Sequence, residues 1–165
     1  VALLTASAIA SNYMLIGVIN VKFMDLIVFT SGYLTGSGLG AFTGALVWLV
    51  YGTINPYGFS LPVLVATMLG EALFGVAGGI YRRKYLNAGY GLDFWAAFTA
   101  FVLTFVYDIF TNIVSGITAG IPIPVALMTG IPFMLVHIGS NSLFFGLGFK
   151  PLTHSIGKIL GENDG

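Results

Sequence analysis

The sequence predicts an all-α integral membrane protein, a bundle of six transmembrane helices. Three observations predict it. Only 7% of the 165 residues are charged and 57% are hydrophobic, whereas a soluble domain carries roughly 25% charged residues. The apolar runs recur along the chain with short breaks between them, and at roughly 20 residues per crossing the length holds about six spans and almost no extramembrane domain. Finally, the polar residues inside the runs fall at helical spacing. Asp108, Thr111, Asn112 and Ser115 stand at i, i+3, i+4 and i+7, with Thr104 and Thr118 one step beyond at either end. That row is a single polar stripe on an otherwise apolar helix. Lipid cannot satisfy a carboxylate at membrane depth, so the stripe must face protein, water or ligand.

Composition also excludes classes of function. The formal net charge is zero, which removes any argument for nucleic-acid binding. There is no cysteine, so disulfides and thiolate metal sites are excluded. No nucleophile elbow, zinc pattern, paired-carboxylate spacing or phosphate loop is present, so no enzyme, metal or cofactor is expected. The formal match of Gly36, Gly38 and Ala41 to G-x-G-x-x-G/A lacks a preceding strand. It reads instead as a tight turn followed by close packing at the head of the next helix.

Taken in order, the first span is expected over residues 2–19. It has no basic leader or cleavage pattern of a signal peptide. Ala2, Ala6 and Ala10 recur every fourth residue, the spacing that lets another helix approach closely, either within this chain or from a partner subunit. A short turn, 20–22, leads to span two over 23–34, brief for a full crossing. Asp25 in its first turn suits the helix N-terminus and is read as a structural pair for Lys22. Span three is expected over 39–51, with Trp48 and Tyr51 at a water interface. The loop 52–60 contains Asn55-Pro56 and Tyr57-Gly58 and reads as a connection or as a lid over a pocket.

Span four, 61–80, carries Glu71 near its middle, a site candidate unless a neighbouring helix satisfies it. Arg82-Arg83-Lys84 is the dense basic cluster of the chain and marks a cytoplasmic loop. Asp93 is suited to cap span five, 94–119, which bears the polar stripe. Span six is expected over 124–149, with Pro132 disturbing its hydrogen bonding. His137 and Asn141 share one face of it, for helix–helix hydrogen bonding or for a ligand. Basic residues crowd the side holding the C-terminus, which places both termini in the cytoplasm. The polar groups then gather in the core and outer half, and converge on a pocket open to the outside.

Six short spans, the A-x-x-x-A pattern of Ala2, Ala6 and Ala10, and the D-x-x-x-N element Asp108–Asn112 before a Gly/Pro turn form a combination. It resembles the substrate-binding S component of energy-coupling factor (ECF) transporters, the vitamin importers of bacteria and archaea. The resemblance implies a multi-pass protein of the cell membrane that captures a vitamin-like molecule at its outer face. It also implies a membrane T protein, docked on Ala2, Ala6 and Ala10, and two cytoplasmic ATPases that use the ATP. The substrate-binding residues expected on this basis are Glu71, Asp108, Thr111, Asn112, Ser115, His137, Asn141, Trp48, Tyr51, Asn55 and Tyr57. The rings would stack on or cover a flat ligand, and the 52–60 loop would close over it with Gly52 and Gly58 as hinges. Two rival readings are a membrane scaffold subunit and a small carrier with Glu71 and Asp108 as proton sites.

Overall fold

A computed structural model describes residues 1–54, 56, 58–84 and 91–159, with the side chains of residues 83 and 84 left aside. Six helices follow in order: α1 (Ala2–Met14), α2 (Met24–Thr35), α3 (Ser37–Ile54), α4 (Leu61–Lys84), α5 (Phe94–Thr118) and α6 (Ile123–Ile159). No strand occurs among the described residues.

Four of the six helices, α3 to α6, are long and apolar enough to cross a membrane. The other two are shorter than a crossing. With 13 and 12 residues, they reach about 20 and 18 Å at 1.5 Å per residue. The chain therefore corrects the expected 2–19 span, because helix ends at Met14 and residues 15–23 form a non-helical strap. Elsewhere helix runs further than expected. Gly52 is helical and buried inside α3 rather than a loop hinge, and α4 continues through the basic cluster to Lys84. Helix α6 carries on through Pro132 and Pro151 for 37 residues in all, well beyond the expected end at 149.

Helix α2 is the axis of the fold. Every residue from Met24 to Gly32 is buried, and α1, α3, α4 and α6 all pack on it. A 12-residue apolar segment is the length expected of a buried core helix rather than a crossing. Gly36, at φ 95°, turns the chain from α2 directly into α3. Helices α2, α3 and α4 then meet backbone to backbone. A Cβ on Gly75 would collide with the main chain of Gly40, and one on Gly32 with the carbonyl of Gly75. This is the close small-residue packing that membrane helices use in place of a hydrophobic driving force.

The side chains stack in three levels along the bundle. At one end, an open cavity of about 810 Å³ is lined by the strap, the C-terminal ends of α1, α3 and α5, and the N-terminal parts of α4 and α6. In the middle lies a buried polar layer of Asp25, Glu71, Thr104, Asp108, His137 and Asn141. Beyond it, Phe29, Phe74, Tyr81, Phe145 and Phe149 form a buried aromatic cluster. The ends of α4 and α6 bearing Arg82, Lys150 and Lys158 lie past that cluster, opposite the cavity. At the same end Asp93 caps α5 as expected, accepting from the Ala96 amide at 3.0 Å and from the Tyr81 hydroxyl at 2.7 Å.

Candidate functional site

The polar stripe of α5 divides between two levels. Thr111, Asn112 and Ser115 line the cavity wall, and Asp108 lies at its floor. Thr104, one turn deeper, is fully buried in the polar layer. Thr118 is exposed and bonds only its own helix, to the Val114 carbonyl at 2.8 Å. Asn112 packs its amide against Gly130 of α6, where an added methyl would push that side chain aside.

Below the floor, His137 bridges two carboxylates. Its Nε2 lies 2.8 Å from Asp25 Oδ2, and its Nδ1 lies 3.0 and 3.1 Å from the two oxygens of Asp108. His137 is 0% exposed and Asp25 1%, so the α2–α6 half of the bridge is sealed from the cavity, while Asp108 of α5 reaches the cavity floor. Both ring nitrogens face carboxylate oxygens, and each such pair accommodates one proton. Asn141, one turn along α6, donates through Nδ2 to Asp25 Oδ2 at 2.6 Å and to Thr104 Oγ1 at 2.9 Å. The i, i+4 placement of His137 and Asn141 therefore serves one acceptor, Asp25. Glu71 sits in the same layer beside Asp25 and accepts from Trp48 Nε1 at 3.3 Å.

Asp25 Oδ1 and Glu71 Oε1 have no donor except the proton that these two adjacent acids can share, and Asn141 Oδ1 and the Tyr107 hydroxyl are buried with no partner among the described residues. Buried polar atoms of folded proteins are nearly always paired.

The structure brings most of the expected site residues together, in two tiers. Trp48, Tyr51, Asp108, Thr111, Asn112 and Ser115 line the cavity. Glu71, His137 and Asn141 lie beneath it, fully buried, and position the groups above rather than facing the cavity themselves. Asn55 and Tyr57 lie outside the described residues, while Gly58, Phe59 and Ser60 of the same loop line the cavity. Ala2, Ala6 and Ala10 are all exposed on α1, on the face turned away from buried Thr5, Ala8 and Asn12.

Three residues escaped the sequence reading. Asp25 is the hub of the polar layer rather than a partner for Lys22. Lys22 lines the cavity, with Nζ 5.2 Å from the Trp48 ring centroid and 5.1 Å from that of Tyr107. Tyr107 is buried against Gly70 and meets His137 edge-on at 5.9 Å. The signal for Lys22 was its isolation, as the sole basic residue on its side of the bundle. For Asp25 it was a carboxylate in a segment too short to bring it to the surface.

No protein-family model, curated protein or solved structure matches the chain. The functional reading therefore rests on the residues and their geometry.

Proposed function

We propose that the chain is the membrane-embedded substrate-binding subunit of an ECF-type importer. In this reading all six helices lie within the bilayer and both termini face the cytoplasm. The cavity opens outward and receives a vitamin or related micronutrient. The observation that carries the reading is the cavity of about 810 Å³, walled by Trp48, Tyr51, Thr111 and Asn112 and floored by a hydrogen-bonded polar layer. Its size is within the range of small-molecule sites, and its mixture of rings with a few placed polar groups is their usual lining. It lies at the end opposite Arg82, Lys150 and Lys158, as the positive-inside rule requires of an outward site.

The aromatic cluster beneath the polar layer blocks a direct path through the bundle, so release needs the helices to move. That movement is driven by a T protein, docked on the exposed Ala2, Ala6 and Ala10 face, and by two ATPases. Mass spectrometry of small molecules retained through purification in detergent, followed by calorimetric titration of the molecule found, tests the binding role. Vesicles holding this chain alone should bind substrate without accumulating it, and adding the T protein, the ATPases and ATP should start uptake.

A second reading is favoured by the Asp25–His137–Asp108 bridge with Glu71 beside it: a carrier driven by protons. Uptake by this chain alone, abolished by collapsing a proton gradient, would select it.

A further inference from the structure

Two charged residues line the cavity, Lys22 and Asp108. Asp108 is already engaged, with both carboxylate oxygens against His137 Nδ1. Lys22 is not. Its ammonium rests over the Trp48 and Tyr107 rings and makes no ion pair or hydrogen bond among the described residues. Tyr107 offers a second unengaged group. Its ring lines the cavity, and its buried hydroxyl, next to the cavity wall, has no partner among the described residues. With Lys22 Nζ over that same ring, the two donors are held within one small region.

We propose that the captured substrate carries a carboxylate, bound jointly by Lys22 Nζ and the Tyr107 hydroxyl. The inference rests on the binding reading above and narrows it to a class of substrate. An ammonium and a phenol donating to one carboxylate form charge-assisted hydrogen bonds, the strong kind. The charge around the site favours a carboxylate over a phosphate dianion. Among the described residues one cation lines the cavity, and Asp25 and Glu71 lie close enough beneath to act on it electrostatically. A second negative charge would meet those acids without a second cation to offset it. The Trp48 ring beside Lys22 and the apolar walls from Leu15, Ile16, Val63 and Phe133 suit a substrate with an apolar or flat body behind its acid group.

The test titrates the intact detergent-solubilised chain with matched pairs differing at the acid: nicotinate and nicotinamide, biotin and biotinamide, pantothenate and panthenol. The parent, Lys22→Gln, Lys22→Arg and Tyr107→Phe are compared, and small molecules retained by each through purification are identified by mass spectrometry. The expected result is that an acid binds, or an acidic molecule is retained, and the uncharged counterpart binds at least tenfold more weakly. Lys22→Gln should lower affinity for the acid by about 10- to 100-fold, the range of a charge-assisted hydrogen bond. Lys22→Arg should keep most of it, and Tyr107→Phe should weaken it several-fold without altering the unfolding of the bundle. Equal binding of acid and uncharged partner, or a neutral or cationic molecule retained alike by parent and Lys22→Gln, overturns the carboxylate while leaving the binding role standing. If nothing binds and nothing is retained, both readings fall together.

Discussion

Replacing His137 by alanine removes the one group that connects the two buried carboxylates. In the intact chain Asp25 accepts from Asn141 and faces His137 Nε2 at 2.8 Å, while Asp108 faces His137 Nδ1 at 3.0 Å. After the change Asp25 keeps the Asn141 amide and the adjacent Glu71 carboxyl, and Asp108 keeps no side-chain partner among the described residues. Two hydrogen bonds to ionisable groups disappear, two acids are left facing an empty space, and the polar connection of α6 to α5 is reduced to the Asn141–Thr104 hydrogen bond. Breaking a buried pair by removing one partner costs about 3–5 kcal/mol, a large part of a typical stability of about 5–15 kcal/mol. The assay is equilibrium unfolding in mixed micelles of rising dodecyl sulfate content, followed by far-ultraviolet circular dichroism. A cycle with Asp108→Asn sharpens it, because the double variant no longer strands the Asp108 carboxylate. The double variant should cost less than the sum of the singles by about 0.5–3 kcal/mol. A His137→Ala protein within about 0.5 kcal/mol of its parent, the level of an ordinary surface change, or strictly additive single variants, would refute the view that the bridge holds α2, α5 and α6 together.

Other outcomes follow from the same geometry. Gly75→Ala drives a methyl into the main chain of Gly40 and should cost upward of about 1–3 kcal/mol, as overpacking does. Gly139→Ala meets nothing within 4 Å and should be neutral or stabilising by up to about 1 kcal/mol in the same unfolding assay. Asn112→Ala should weaken binding of the molecule that co-purifies by tenfold or more in calorimetry while leaving unfolding nearly unchanged. Asp108→Ala should lose binding and stability together, because it also leaves His137 Nδ1 without a partner while Nε2 keeps Asp25. Asn20, at φ 52°, donates from Nδ2 to the Phe133 carbonyl at 2.8 Å and ties the strap to α6. Asn20→Gly, which keeps the positive φ while removing the side chain, should release bound substrate several-fold faster in stopped-flow dissociation, with little change in stability. Glu71→Gln keeps the acceptor for Trp48 Nε1, so ATP-driven uptake should persist in reconstituted vesicles. Its loss, with uptake by the chain alone in the parent, would point to proton coupling.

The class of the protein and the stripe of α5 were legible in the sequence because both are local. Hydropathy follows from composition, and the spacing of Asp108, Thr111, Asn112 and Ser115 follows from one helix. Helix ends were less legible. Residues 15–19 are as apolar as the helix before them, and nothing in their side chains marks that they cover a cavity instead of continuing the helix. The extension of α6 past Pro151 was hidden for the opposite reason, since proline signals an end that neighbouring packing can override. Asp25 was misread because a carboxylate in a first turn has a sufficient local account in the helix dipole. Its actual partners, His137 and Asn141, lie 112 and 116 residues away in sequence. No single-segment pattern encodes such a pairing.

In lipid there is little hydrophobic force between helices, so association depends on close packing and on hydrogen bonds. This chain assigns the two devices to different halves. Helices α2, α3 and α4 are joined through glycines at backbone contact, an arrangement that tolerates almost no sliding. The pair α5 and α6 meets α2 largely through side chains: the Asp25–His137–Asp108 bridge, the Asn141 amide, and the Phe29–Phe145 and Phe29–Phe149 ring contacts. Side-chain contacts can be exchanged for others as helices shift, whereas a glycine-to-glycine backbone contact has no substitute. The cavity lies across this division, with Trp48 and Thr67 on the glycine-packed half and Tyr107, Asn112 and Phe133 on the other. A ligand bridging both halves would therefore bias their separation directly, and the polar bridge at the floor of the cavity is where that bias would first be felt.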